Sequence, residues 1–406
     1  MLDRIQSSNS TLSGPLSFLR SWNPPLSRPD VQIGHLSPTG YKELHDLGFT
    51  LRAREGQDFY VWANNYTRVL QSAQAFVRGY IGTNSSLHGH IVSVTSRGSP
   101  AHLGDTLAPS DMCPSFRDES DHQQNVWRSQ WLPGFVKRQA EFISGSLDLD
   151  DSQWADFPYI CGFESQITGF LSPFCNTFTD TELAQYEYLQ DLRYYYGVGP
   201  AANVSSKMMV PFLRSVMDIL QRGPGIRGRN VVEGTDFPVP DLLTSFLNDG
   251  QLNQLVVASG IFDEEPQLPI EHMRKDRLWR SSRISPMRGT IAFERLRCTI
   301  KVQTPEAVGT SQHEVSSSAF AEPRHRNESF VRILLNDAVY PVPSCQNGPG
   351  RSCPLDGYIA ILSRKLEQNG NFADICNVTD PAAPKVVLGA SFFTNLAQTH
   401  LQILQA

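Results

Sequence analysis

Apolar positions in the first hundred residues change repeatedly between strand spacing and helix spacing. Residues 59–63 form a short β-type run, residues 66–81 place their apolar side chains on one helical face, and residues 90–96 form a second strand. This order of β and α units predicts a mainly parallel sheet covered by helices. Further helices are predicted over 14–22, 37–54, 207–222 and 251–259, and further strands over 242–247, 290–302 and 329–343.

The spacing of apolar residues becomes irregular after the strand over residues 90–96. Residues 97–160 are rich in Gly, Pro, Ser and Asp, and helical spacing returns only over 123–145 and 181–196. We therefore expect a three-layer α/β sandwich with a helical insertion. Its domains are an α/β domain over 1–100 and 200–406 and an insertion subdomain over 101–199. Residues 303–328 are predicted to form a polar loop, residues 248–250 a turn, and the tail from 354 mostly helix, with a last helix from about residue 391.

Charge and composition argue against several kinds of binding partner. The net charge of -6 argues against a nucleic-acid partner, which would require a basic face. No apolar run is long enough to span a bilayer, so no membrane partner is predicted. The close histidine pair, His88 and His90, precedes a strand and is typical of a surface loop, and no cysteine spacing suggests zinc. We predict neither a metal nor a cofactor.

Cysteines and glycosylation sequons favour an oxidising, extracellular setting, so the protein is expected to be secreted. Seven cysteines and six Asn-x-Ser/Thr sequons occur, the sequons at Asn9, Asn65, Asn84, Asn203, Asn327 and Asn377. The first thirteen residues nevertheless contain no apolar signal segment, and the odd cysteine count leaves one thiol without a partner in the chain. From both observations we expect residues to be missing at the front.

Two residues are placed where a ligand would bind beyond the carboxyl ends of parallel strands. Arg68 lies in the first turn of the helix after strand 59–63, a position suited to binding phosphate. Asp249 follows strand 242–247 and is a candidate general acid. Each has an ordinary structural explanation as well: Arg68 as a solvated or ion-paired helix residue, and Asp249-Gly250 as a turn or a helix cap.

Four blocks resemble the fungal histidine acid phosphatases and phytases. They are NYTRVLQSAQAFVRGY, PFCNTFTDTELAQYEYLQDLRYYYGVGPA, SFLNDGQLNQLVVASGIFD and ILLNDAVYPVPSCQNGPGRSCPLDGY. The resemblance implies a phosphomonoesterase in which a histidine attacks phosphorus, arginines hold the phosphate and an aspartic acid protonates the leaving oxygen.

Carried onto this chain, the resemblance makes Arg68 a phosphate ligand and Asp249 the proton donor. Asn248 replaces the histidine that precedes the aspartate in these enzymes, so it keeps a hydrogen-bond donor without a charge. Trp62 stands where these enzymes often have another arginine.

The Arg-His-Gly-x-Arg-x-Pro motif of these enzymes does not occur in the 406 residues. In the family it lies on the first strand of the sheet, so we expect a central strand to be absent with it, leaving unpaired edges on two neighbours. The resemblance further implies the disulfides Cys345–Cys353, Cys161–Cys175 and Cys113–Cys376. Cys298 would be left over, because its partner in the family precedes the motif.

Two functional hypotheses follow. The first is a secreted phosphomonoester hydrolase, an acid phosphatase or a phytase, whose nucleophile-bearing segment is missing here and whose substrate is a small phosphorylated molecule. The alternative is a catalytically inactive, phosphatase-like secreted protein that binds a phosphorylated ligand or a partner. Asn248 and Trp62 favour the alternative, and the missing central strand favours the first hypothesis. Oligomeric state leaves no signature in the sequence.

Overall fold

The structure is a computed structural model that describes residues 1–52, 58–95, 97–98, 100–230, 234–239, 241–302, 324–387, 389–390 and 401–405. The α-helices are α1 (Leu2–Ser7), α2 (Pro29–Gln32), α3 (Pro38–Thr50), α4 (Thr67–Ile81), α5 (Ser85–His88), α6 (Asp121–Ala140), α7 (Asp151–Ala155), α8 (Phe157–Thr168), α9 (Asp180–Gly197), α10 (Ser205–Met208), α11 (Val210–Arg222), α12 (Asp249–Ser259), α13 (Ser281–Ile284), α14 (Leu355–Asn369) and α15 (Phe372–Ile375). The strands are β1 (Thr11–Leu12), β2 (Phe59–Asn64), β3 (Gly89–Val94), β4 (Ile143–Ser144), β5 (Arg227–Asn230), β6 (Thr235–Pro238), β7 (Thr244–Phe246), β8 (Ile291–Val302), β9 (Arg324–Leu335), β10 (Ala338–Val339), β11 (Cys353–Pro354) and β12 (Leu401–Gln405).

The predicted parallel sheet is present. Its strand order is β12-β3-β2-β7, in which β2 runs parallel to both β3 and β7, and β12 is antiparallel to β3. Ala63 lies opposite Phe246 in the register, so the carboxyl ends of β2 and β7 meet at one edge of the sheet. The α/β fold class predicted from the alternating pattern is confirmed.

Strand β2 is buried along its whole length because helices cover both faces of the sheet. Val61 faces a cluster that contains Phe76 of α4, whereas Trp62 faces the larger core, which contains Leu255 and Val256 of α12. Successive strand residues point to opposite faces, which explains this division. The helices that follow β2 and β7 therefore lie on opposite faces of the sheet while both begin at the same edge.

Helices α3 and α4 cross at two glycines. A Cβ atom on Gly48 would lie 2.1 Å from the carbonyl oxygen of Phe76, and one on Gly79 would lie 1.9 Å from that of His45. Only glycine permits backbones to approach this closely. The crossing fixes α4, and with it the helix start that carries Arg68.

A second, antiparallel sheet is built on the hairpin of β8 and β9, with β10 and β11 at its margins. Among the described residues, β7 has a ladder only with β2, and β8 only with β9. Each of these strands thus keeps one edge at which a further strand could pair.

Helices α6, α7, α8 and α9 occupy the predicted insertion, and its boundaries at 101 and 199 stay a prediction. Disulfides join Cys113 to Cys376, Cys161 to Cys175 and Cys345 to Cys353, the same pairs that the resemblance implies. Cys298 is free and partly buried. All six sequon asparagines are exposed, and their glycosylation stays a prediction.

Two local predictions are corrected. Asp249 and Gly250 are not a turn but the first residues of α12, because Asn248 takes the extended N-cap conformation. The helix predicted from about 391 falls mostly outside the described residues, and Leu401–Gln405 form β12 instead, where pairing with the edge of β3 satisfies backbone groups.

The predicted loop over 303–328 also ends early, since β9 begins at Arg324. The rest of that loop lies outside the described residues. Within the described part of the chain, no helix has the length and apolar character needed to cross a membrane.

Candidate phosphate site

Arg68 stands at the start of α4, directly beyond the carboxyl end of β2. Its side chain is exposed, and its guanidinium carbon lies 5.4 Å from the ring centre of Tyr66. A guanidinium in this position adds fixed positive charge to the free N–H groups of the first helical turn. The arrangement is suited to binding an anion.

Asn248 and Asp249 occupy the matching place beyond β7. Asn248 is the N-cap residue of α12 and makes no side-chain cap hydrogen bond. Its Oδ1 atom is buried and has no hydrogen-bond partner among the described residues. Asp249 is exposed in the first turn of the helix. Both predicted segments therefore lie at the same edge of the sheet, as their positions after parallel strands require.

One carboxylate connects the two segments. The hydroxyl of Tyr66, in the turn before Arg68, donates to Oδ2 of Asp111 at 2.5 Å. The amide of Gln251, in the first turn of α12, donates to Oδ1 of Asp111 at 3.4 Å and to the hydroxyl of Ser110 at 3.0 Å. Asp111 thus bridges the two helix starts.

The insertion helix α9 contributes the other neighbours of Asp249. The hydroxyl of Tyr194 donates to Oδ2 of Asp249 at 2.5 Å, and the Arg193 guanidinium carbon lies 4.7 Å from the centre of the Tyr194 ring. Gly197, at the end of the same helix, lies against the carboxyl group of Asp118. The end of α9 therefore forms one wall beside Asp249.

Burial and neighbouring charges determine the protonation states of Tyr194 and Arg193 at the end of α9. Burial first, and then the neighbouring Asp249 carboxylate, raise the pKa of Tyr194 above its ordinary value. Burial alone would lower the pKa of Arg193, but Tyr194, Asp118 and Asp249 outweigh it and raise that pKa. Tyr194 remains a hydrogen-bond donor and Arg193 remains a cation.

Trp62 is fully buried in the large core, where it packs as a structural residue at the centre of β2. A separate cleft of about 540 Å³ lies past the C-terminal end of α12 and is lined in part by Phe262, Glu265 and Arg274. It is at the opposite end of that helix from Asp249. No group of three His, Cys, Asp or Glu side chains within the described residues could hold a metal ion.

Sequence reasoning missed Asp111, Tyr194 and Arg193. Tyr194 lies in a run of three tyrosines at the end of a predicted helix, 55 positions before Asp249. A single sequence has no signal that pairs two residues at such a separation. Asp111 lies in a 3₁₀ turn within a stretch that showed no periodicity, so nothing marked it either.

Comparisons with known proteins give one consistent result. An acid phosphatase of Komagataella pastoris is 26% identical over 399 residues, covering 94% of this chain and 75% of that protein. Phytase A of Aspergillus oryzae is 24% identical over 402 residues, covering 92% of this chain and 79% of that protein. The crystal structure of a phytase from D. castellii matches the fold with a TM-score of 0.70 at 20% identity, covering 94% of this chain and 77% of that one.

A profile described as the histidine phosphatase superfamily (branch 2) matches residues 1–336, well over half of the 406 residues. The match includes both helix starts that carry Arg68 and Asp249. This chain belongs to the histidine phosphatase superfamily, branch 2.

Proposed function

We propose that the chain carries the phosphate-binding and proton-donating parts of a phosphomonoester hydrolase of the histidine acid phosphatase type. In this proposal Arg68 and Asn248 hold the phosphate and Asp249 protonates the leaving oxygen. The main support is that both helix starts lie at one edge of the parallel sheet and are joined through Asp111. The acid phosphatases and phytases among the relatives have names consistent with this chemistry.

The arrangement is suited to a small phosphorylated substrate. A phosphate beyond β2 and β7 would meet the guanidinium of Arg68 and the free N–H groups of two helix starts. Charge-assisted hydrogen bonds of this kind stabilise both the bound monoester and the charge that develops in the reaction. A carboxylic acid at Asp249 would then supply the proton that an alkoxide leaving group needs.

The 406 residues supply no Arg-His-Gly motif, so this proposal assigns the nucleophile to none of the ten histidines of the chain. The unpaired edges of β7 and β8 among the described residues are places where a further strand that carries a nucleophile could join. Until such a strand is present, the site is expected to bind phosphate without turning it over.

Replacing Arg68 with alanine tests the phosphate-binding role. The variant should bind inorganic phosphate about 10- to 100-fold more weakly than the parent, because a hydrogen bond to a charged group contributes about 1.5–3 kcal/mol. Isothermal titration calorimetry at about pH 5 measures the change, at a pH where inorganic phosphate carries close to one negative charge.

Arg78→Ala is the matched control. Arg78 lies in the last turn of the same helix and donates to the hydroxyl of Tyr41 at 3.2 Å, far from the helix start. Its phosphate affinity should stay within about twofold of the parent, since exposed charges at that distance are largely screened. Equal weakening in both variants would show that Arg68 acts only through net charge.

Replacing Asn248 with histidine should tighten phosphate binding. At about pH 5 the imidazole is mostly protonated, so the variant gains a charged donor and about tenfold in affinity. At about pH 8 the imidazole is neutral and the gain should vanish. Because Asn248 makes no side-chain cap hydrogen bond, the exchange removes little helix stability. Calorimetry at both pH values checks this.

Asn248→Gln keeps a neutral amide and serves as the control, with no gain expected at either pH. A gain that is the same at both pH values would contradict the assignment of this position to phosphate binding.

A second function is supported by specific residues. Asn248 carries no charge where the related enzymes have histidine, and Trp62 is a core residue where they often have arginine. Both features are suited to a phosphatase-like protein that binds a phosphorylated ligand without catalysis. The two functions differ in turnover, not in phosphate binding.

We propose that the protein works outside the cell. Three disulfides and six exposed sequon asparagines support this, because such bonds persist in oxidising compartments.

A further inference from the structure

Tyr194 makes a contact that the assigned chemistry does not require. Its hydroxyl donates to Oδ2 of Asp249 at 2.5 Å, although the two residues lie on different helices. Asp249 is otherwise exposed, so a carboxyl group there would rotate freely without such a partner. Val198, the residue after α9, lies beside Gly250, since a Cβ atom on Gly250 would be 3.9 Å from its side chain.

We propose that Tyr194 is a positioning residue for Asp249: its hydroxyl holds Oδ2, which leaves Oδ1 as the oxygen that carries and delivers the proton. This inference rests on the proposed role of Asp249 as proton donor. It makes the helical insertion, through the end of α9, part of the leaving-group side of the site.

In the reaction, an imidazole supplied by a further strand would bond to phosphorus while the bond from phosphorus to the leaving oxygen breaks, and the electron pair of that bond would stay on the oxygen. The proton on Oδ1 of Asp249 moves to this oxygen and leaves a carboxylate. Tyr194 keeps its own proton and donates a hydrogen bond to the carboxylate that has formed.

Several polar and charged groups lie around Asp249. Arg193 and Tyr194 belong to α9, and Asp118, which interacts with Arg193, belongs to the segment before α6. Asp111 contacts α12 through Gln251, and Arg68 begins α4 at the same sheet edge. Arg193 also favours the carboxylate, so Asp249 keeps a cationic neighbour when the Tyr194 hydroxyl is removed.

Tyr194→Phe tests the proposal in the full 406-residue chain. With aspartate labelled by ¹³C at the side-chain carboxyl, the Asp249 resonance is identified by its loss in Asp249→Asn. At about pH 7 the chemical shift of this resonance in Tyr194→Phe should differ from that in the parent, since the hydrogen bond from the Tyr194 hydroxyl to Oδ2 is removed.

Tyr196→Phe is the matched control, because Tyr196 lies on the same helix and donates to the carbonyl of Leu268 at 2.6 Å instead. It should leave the chemical shift of the Asp249 resonance where it is in the parent. An unchanged Asp249 resonance in Tyr194→Phe, or an equal change in Tyr196→Phe, would overturn the proposal.

Binding of inorganic phosphate at about pH 7 separates this inference from the proposed function. A carboxylate at Asp249 should repel bound phosphate, so Asp249→Asn should bind phosphate more tightly than the parent. If the affinity is unchanged in that variant, Asp249 is not at the phosphate site and the proposed function is wrong. If Asp249→Asn binds more tightly but the Asp249 resonance is unchanged in Tyr194→Phe, only the inference about Tyr194 fails.

Discussion

The 406-residue chain is expected to release no measurable p-nitrophenol from p-nitrophenyl phosphate between about pH 3 and pH 6. The reason is that a phosphohistidine mechanism needs a histidine held among arginines, and the chain has no Arg-His-Gly sequence. Loss of the nucleophile in another hydrolase lowers kcat by on the order of a million-fold, so any residual rate should fall below what the assay detects. Absorbance of released p-nitrophenol measures this directly.

Asp249→Asn provides the decisive comparison for that result. If the parent chain is inactive for the stated reason, the variant is equally inactive, while both proteins still bind inorganic phosphate. Turnover in the parent that Asp249→Asn abolishes would contradict the prediction, because it would show that the residues present complete the reaction. Trapping with radiolabelled substrate would then identify the group that becomes phosphorylated.

Parallel strand order explains why much of the candidate site could be predicted. The apolar run over β2 marks a buried strand and the short run over β7 marks a partly buried one, and each is followed by a helix. In a parallel sheet the carboxyl ends of neighbouring strands meet, so Arg68 and Asp249 had to reach the same edge once β2 paired with β7. Hydrophobic periodicity, together with the rule that ligands bind beyond the carboxyl ends of parallel strands, was sufficient to place these two residues.

Contacts between segments that are far apart in sequence could not be predicted, and the reason is also physical. The hydrogen bond from Tyr194 to Asp249 and the bridge through Asp111 depend on how helices pack, and hydrophobic periodicity does not encode polar contacts of this kind. The sequence alone leaves Asp249-Gly250 open between a turn and a helix cap, because Asn-Asp-Gly is common both in turns and at helix starts. Only the extended N-cap conformation of Asn248 distinguishes the two.

A buried ion pair holds the helix that presents Tyr194. Asp191, three residues earlier on α9, is fully buried and accepts from Nε of Arg277 at 2.5 Å and from the backbone and hydroxyl of Ser281 at 2.6 and 2.9 Å. Arg277, whose side chain is 2% exposed, also donates to Glu187 at 2.9 Å. The pair therefore ties the insertion helix to the segment before α13.

Arg277→Met is expected to destabilise the fold by about 3–5 kcal/mol at neutral pH, because it leaves the Asp191 charge buried without its partner. Chemical denaturation followed by tryptophan fluorescence measures the free energy of unfolding. Arg229→Met is the matched control. Arg229 pairs with Asp236 across the β5–β6 hairpin with side chains 58% and 46% exposed, so its loss should cost less than about 1 kcal/mol.

The loss in free energy of unfolding caused by Arg277→Met should become smaller as the pH falls. Burial raises the pKa of Asp191 to about 6 even in the parent, although Arg277 and Ser281 oppose that shift. Since a raised pKa in the folded state favours folding below the pKa of the unfolded chain, protonation of Asp191 restores stability between about pH 7 and pH 4. Without Arg277, less opposes the effect of burial on the pKa of Asp191, so this pKa is higher in the variant. The variant therefore gains more free energy of unfolding than the parent between these two pH values. A deficit that stays constant with pH would mean that lost packing of the Arg277 side chain, not the unpaired carboxylate, accounts for the destabilisation.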